Sequence, residues 1–205
     1  MTRSTRARII DEALRLFAER GYSATSVAEI EAASGLSPGA GGLYRHFKSK
    51  YEVLAAAINE HATRTRSQVA ESLAELSSME ASAALEERLS HLCRAGLAKV
   101  REESELTRVF FRDLSQFPEL VAVVREGLLQ PMFDAIVTWF RAQPEYQDIE
   151  VDWAGISVVL GGSVVHYRLF QETVGELPGY ADKDQFVAAW VRLAVGLLPS
   201  PAPVS

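Results

Sequence analysis

At 205 residues, 48% apolar and 23% charged, the chain is large enough for a full core, and with no 18-residue apolar run and no signal-like N-terminus it predicts neither a membrane span nor export. Its one cysteine, Cys93, allows no intramolecular disulfide and predicts a reducing, cytoplasmic setting. The net charge of -6 is unevenly spread: residues 1–50 hold eight Arg and Lys against five Asp and Glu, a balance of +3, while residues 51–205 hold 13 against 22, a balance of -9.

A basic head on an acidic body is the asymmetry expected when only the head meets phosphate. The first predicted helix covers about Thr5–Arg20, with Ile9, Ile10, Ala13, Leu14 and Phe17 on one face and Gly21 as its stop. A Ser-x-x-Glu capping box at Ser26/Glu29 opens a short second helix, with Ile30 and Ala33 as its apolar face and Gly35 at its left-handed end. Ser37 followed by Pro38 reads as an N-cap with proline at the first helical position, so a third helix is expected within two residues. Two helices joined by so short a turn form a helix-turn-helix, whose second helix fits the DNA major groove. Ser49/Glu52 is a further capping box and opens a fourth helix to about Ala74, with Val53, Leu54, Ala57, Ile58 and His61 inward.

Only helical periods follow. Ser82–Glu103 carries Leu85, Leu89, Leu92, Ala95/Gly96 and Val100 on one stripe; Leu106–Ser115 is short and rich in Phe110, Phe111 and Leu114. Pro118 starts a longer helix to about Arg141, bent where Pro131 lacks a backbone donor. Val151–Thr173 is apolar nearly all round, Asp182–Leu198 closes the fold, and residues 199–205 read as a frayed tail. The expected architecture is all-α with nine helices: a helix-turn-helix domain over 1–50, running into the fourth helix to about residue 62, and a six-helix body over 51–198.

Helix 1 followed by GYSATSVAEIEAASGLSPGAGGLYRHFKSKYEVL resembles the N-terminal domain of the TetR/AcrR-type transcriptional regulators. The match covers about residues 5–60, where the family pattern is Gly-hydrophobic-Ser, a short recognition helix, Leu-Tyr-x-His/Tyr-Phe, then a Ser-Lys pair opening the fourth helix. Phe117-Pro118-Glu119-Leu120 resembles a recurring phrase of these regulators' ligand-binding bodies. The resemblance implies that Ser26 donates to a phosphate, that Ser37, Pro38, Gly39 and Ala40 approach base edges, and that Tyr44, His46 and Lys50 hold backbone phosphate. Leu43 and Phe47 would pack inward. Arg3, Arg6 and Arg8 could form a groove-reaching arm or merely a solvated basic tail. Arg45 and Lys48 complete the basic cluster, and Arg45 or DNA shape is expected to supply part of the specificity.

Between Ser37 and Tyr44 the chain has about two residues more than the family's usual spacing. Two residues rotate a helix by about 200°, so Gly39-Ala40-Gly41-Gly42 is expected to absorb the excess as a locally irregular segment or to delay the helix start. The same glycines follow no strand and so make no dinucleotide fingerprint. Gly161-Gly162-Ser163 lacks the spacing of a nucleophile elbow, and His91 and Cys93 fall on different helix faces without further soft ligands. No metal, cofactor or catalytic set is expected.

In the body, Phe110, Phe111, Leu114, Phe117, Trp139, Tyr167 and Phe170 with His91, Cys93 and His166 read either as plain core or as an apolar effector pocket with a few orienting groups. The family resemblance favours the pocket and a small, mostly apolar effector. Gly155, Val158 and Gly162 on the penultimate helix, with Trp190, Leu193, Ala194 and Leu197 on the last, are expected to form a two-fold, four-helix homodimer contact. The resulting reading is a repressor that binds a pseudo-palindromic operator and is released by its effector. The rival readings are an activator of the same fold, and a helical enzyme or carrier, which would leave Ser37–Lys50 unexplained.

Overall fold

The end signals in the sequence set most of the helix limits. Ser4 caps α1 (Thr5–Arg20) by accepting the Ala7 N–H at 3.2 Å, and Gly21, at φ +98°, closes it through an N–H to the Phe17 carbonyl. The Ser26/Glu29 box opens α2 (Val27–Ala33) with both reciprocal bonds in place. Its end is a Schellman motif: Gly35 turns left-handed at φ +73°, its N–H meets the Ala32 carbonyl, and the Leu36 N–H meets that of Glu31. Ile30 is buried as expected, but Ala33 is exposed, and the buried position beside Ile30 belongs to Glu31.

Ser49 accepts the Glu52 N–H at 3.1 Å at the start of α3 (Lys50–Met79). Glu52 reaches one residue further back than a capping box requires, to the Lys48 N–H. There follow α4 (Leu85–Glu102), α5 (Ser104–Asp113), α6 (Pro118–Val124), α7 (Gln130–Ala142), α8 (Trp153–Val174) and α9 (Lys183–Val195). The single helix expected from Pro118 is divided by a π-turn at Arg125–Leu129. Pro131 has no N–H for the carbonyl four residues back, and the wide turn just before it is where the helix absorbs that loss.

This computed structural model describes residues 4–79, 83–175 and 182–198, all helix, turn or loop with no strand among them. The expected tail at 199–205 lies outside the described residues. Nine α-helices are present among the described residues, as many as expected but differently divided, since the π-turn adds one and the recognition segment is not one. None of them is long and apolar enough to cross a membrane.

Internal contacts divide the chain into two compact units, Met1–Ser67 with Glu103–Gln130, and Gln68–Glu102 with Pro131–Ser205. This departs from a single boundary between residues 50 and 62. In the first unit, Ile9, Ala13, Phe17, Ile30, Leu54 and Ile58 share one core with Leu106, Val109, Leu114, Leu120 and Val124. Arg112 donates to the Phe17 carbonyl, and Asp113 accepts the Tyr22 N–H at 3.1 Å, so α5 grips the end of α1. The partners of the second bond are 91 residues apart, beyond the reach of local patterning.

In the second unit, Trp139, Phe140, Tyr146 and Trp153 form an aromatic core with ring centroids 5.2–5.7 Å apart. Buried Arg88 donates into it, to Gln143 and Glu145. Two bonds to main chain anchor α9: the Trp190 indole donates to the Leu160 carbonyl at 3.1 Å, and Tyr146 Oη to that of Ala194 at 2.9 Å. Trp190 and Ala194 are therefore core, not the dimer surface expected of them, and Leu197 packs partly on the same core. Gly155 lacks a side chain for a local reason, because a Cβ there would lie 2.7 Å from the Asp152 carboxylate that caps α8. Val158, Val159, Val174 and Leu193 are exposed, and the space around Gly162 is open.

Candidate nucleic-acid interface

After the Schellman turn, Ser37 and Pro38 begin no helix. The Ala40 N–H meets the Ser37 carbonyl at 3.2 Å with Pro38 and left-handed Gly39 (φ +74°) between, the pattern of a type II turn. Gly41 is left-handed as well (φ +74°), and only then does a 3-10 turn form at Leu43–Arg45. Two left-handed residues cannot sit in a right-handed helix, so the extra residues emerge as a glycine loop, as the spacing anticipated. Leu43 and Phe47 are buried beneath it.

The loop is held by a residue that sequence reasoning missed. Glu31 is fully buried, accepting the Gly39 N–H at Oε2 (2.7 Å) and the Leu43 N–H at Oε1 (2.9 Å). The available signal was an acidic residue beside Ile30, at a position where an amphipathic α2 should be apolar.

Ser37, Pro38, Gly39, Ala40, Arg45, His46 and Lys48 are all exposed, and Tyr44 is 58% exposed. They form one surface of short apex residues flanked by a phenol, an imidazole and two cations. Three other expected contacts differ. Arg6 lies within α1, paired with Glu60 at 2.5 Å and 5.0 Å above the Phe47 ring, so it is no free arm; Arg3 lies outside the described residues. The Ser26 hydroxyl donates to Glu29 Oε2 at 2.7 Å, and Glu29 also pairs with Arg20 at 2.7 Å. Lys50 Nζ donates to the Tyr22 and Thr25 carbonyls, both at 2.7 Å, and stands 4.3 Å over the Tyr22 ring. Two of its three N–H groups are thus committed to its own main chain, and burial lowers its pKa. Lys50 pins the α1–α2 connection instead of standing free for phosphate.

The ten expected effector residues are divided between the two units. Phe110, Phe111, Leu114 and Phe117 belong to the first unit, the other six to the second. Leu114 is core, and Phe117 packs its ring against Tyr22 (4.9 Å) and Tyr51 (5.5 Å), whose hydroxyl donates to Glu119. The Phe-Pro-Glu-Leu phrase is thus part of the head's own packing. Phe111 is 60% exposed, and His91 faces outward on α4. Trp139 and Cys93 are core in the second unit, and His166 packs on half-exposed Phe170 at 4.6 Å. Helical periodicity placed these residues on inner faces without saying which core each face joins.

Tyr167 borders a groove of about 450 Å³ lined also by Leu97, Ala98, Arg101, Glu102, Arg168 and Lys183. Its ring stacks on Phe186 at 4.2 Å. Burial pushes the Cys93 thiol up to about 12. The native protein should therefore react with a thiol-specific reagent at pH 8 at least about a hundredfold more slowly than the urea-unfolded chain. Equal labelling rates would place Cys93 on an open cavity after all.

The comparisons with known proteins agree with this geometry. Residues 9–57 match the family model described as bacterial regulatory proteins, tetR family. Over 49 residues the chain is 49% identical to the transcriptional regulator AcrR of Shigella flexneri, a match spanning 24% of this chain and 22% of that one. A TetR-family transcriptional regulator of Mesorhizobium loti superposes with a TM-score of 0.71 at 20% identity, over 96% of this chain and 98% of its own. FadR of Bacillus subtilis, solved in complex with stearoyl-CoA, superposes with a TM-score of 0.64 at 18% identity, over 97% of this chain and 99% of its own. The last two share the fold, and the first shares the head in sequence. Residues 9–57 thus match the N-terminal region of the tetR family of bacterial regulatory proteins, and nearly the whole chain shares the fold of TetR-family regulators, while it spans only about a fifth of the length of AcrR.

Proposed function

We propose that this regulator is a homodimeric repressor whose two heads sit in successive major grooves of an inverted-repeat operator and leave it when a small effector binds the second unit. The observation that carries the reading is the surface around the glycine loop. Tyr44, Arg45, His46 and Lys48 are exposed beside an apex that presents only Ser37, Pro38, Gly39 and Ala40. Long polar side chains flanking a short apex suit phosphate contacts that position the loop against base edges.

Exposed Val158, Val159, Val174 and Leu193 on α8 and α9 are apolar surface that a second copy would cover. For the effector, the groove bearing Tyr167 supplies three cations and an aromatic face. That lining favours a ligand with an anionic group as well as apolar surface, and the FadR relative binds a molecule of that kind. Binding that favours a head spacing unlike that of the operator would release the DNA by coupling between sites.

The test is footprinting on the DNA flanking the protein's own gene, with and without stearoyl-CoA as an anionic, apolar probe. The expected result is protection of two half-sites about 34–36 Å apart, weakened by the probe, with transcription rising when the gene is deleted. Protection of a single half-site at saturation would overturn the dimer. Transcription that falls on deletion would make the protein an activator.

A further inference from the structure

We propose that Glu31 is the residue that sets which bases this regulator prefers, acting as a positioning residue through the Ser37–Gly42 loop. This rests on the reading above that the loop faces base edges.

Very little else holds the loop. Its own main chain closes one turn at each end, Ala40 to Ser37 and Tyr44 to Gly41. A side chain added at Gly39 would meet nothing within 4 Å and one at Gly41 only the Tyr44 ring at 3.7 Å; packing holds the loop at its last residue, where a Cβ on Gly42 would lie 3.3 Å from Leu36, and leaves Gly39 to Gly41 unfixed. Glu31 reaches across instead. Its two carboxylate oxygens take the N–H groups of Gly39 and Leu43, which bracket the apex, and thereby fix the distance between them. A carboxylate with no solvent exposure is retained only where its oxygens are satisfied, and here the recognition loop satisfies both.

The composition of the apex turns this support into specificity. From Pro38 to Gly42 no side chain extends beyond a proline ring or a methyl group. A helix that reads bases with Arg or Asn can absorb a small displacement by changing rotamers. This loop has only main-chain groups, the Ala40 methyl and its own shape to offer, so its position is its readout. Whatever holds Gly39 relative to Leu43 therefore determines which base steps fit.

The test is selection from a randomised DNA library with the full-length wild type, Glu31→Gln and Gly39→Ala, followed by titration against the selected site and random DNA. Glutamine keeps one acceptor but turns an NH2 toward the other N–H. Gly39→Ala leaves the carboxylate intact and removes the left-handed turn, and it serves alone should Glu31→Gln fail to fold. Both variants should lose about tenfold or more of the ratio between selected and random DNA. The base preferences of each half-site should flatten, while in Glu31→Gln random-DNA affinity and its salt slope, set by the flanking side chains, stay as in the wild type. Unchanged base preferences in Glu31→Gln would overturn the proposal. So would specific and random binding falling in parallel with melting temperature, the signature of a merely structural residue. A wild type that selects no site would remove the base-reading face itself, an outcome distinct from either of these.

Discussion

Replacing Arg45 and Lys48 together with alanine should lower DNA affinity about a thousandfold at 0.15 M salt while leaving the fold intact. Both side chains are exposed beside the glycine loop, and neither has an ion-pair partner among the described residues. In the proposed dimer the double variant loses four phosphate contacts. Each contributes about 0.9 to the slope of log affinity against log salt, so the slope should flatten by about 3.6 units. Extrapolated to 0.15 M, that is about three decades. The acidic remainder of the chain, at -9 over residues 51–205, offers no substitute cation surface. Arg6→Ala is the control: its guanidinium is already paired with Glu60 and stacked on Phe47, so the slope should barely change. A gel-shift titration across salt concentrations measures all three proteins. An unchanged slope in the double variant would move the DNA-binding surface away from this loop.

The fold was legible where a local signal is also a structural cause. Ser26 and Ser49 each accept an N–H at the start of the helix that follows, because a short polar side chain before an apolar run satisfies orphan N–H groups wherever the helix is later packed. The irregular recognition segment was legible for the same reason, since Gly39 and Gly41 supply left-handed backbone that a helix excludes. Burial partners were not legible. Phe117 and Trp139 look alike in a hydrophobicity pattern, yet one stacks on Tyr22 in the head and the other sits in the core of the second unit. Lys50 and Arg6 show how a charge is misread. A basic residue near a DNA-binding motif suggests phosphate, but carbonyls left open at a helix end or a nearby carboxylate attract it equally well. Glu31 was missed because its partners are main-chain N–H groups, which carry no residue identity.

Trp190 and Leu193 lie three residues apart on α9 and should fail in opposite ways. Trp190 is 4% exposed and donates to the Leu160 carbonyl. Trp190→Ala removes a large buried ring at about 3–5 kcal/mol, together with its bond to a carbonyl that the Ser163 hydroxyl continues to meet at 2.7 Å. Against a total stability of about 5–15 kcal/mol, the second unit should melt far earlier or fail to fold. Leu193 is 68% exposed, so Leu193→Glu should change protomer stability by no more than about 0.5 kcal/mol. If α9 covers a second copy, however, that substitution buries a carboxylate in an apolar contact, and light scattering should give the 22.5 kDa protomer in place of twice that mass. Thermal melts followed by circular dichroism, read beside the scattering mass, separate the two roles. A Trp190→Ala protein that melts like the wild type but runs as a monomer would return Trp190 to the interface. A Leu193→Glu protein that stays dimeric would move the interface off this face of α9.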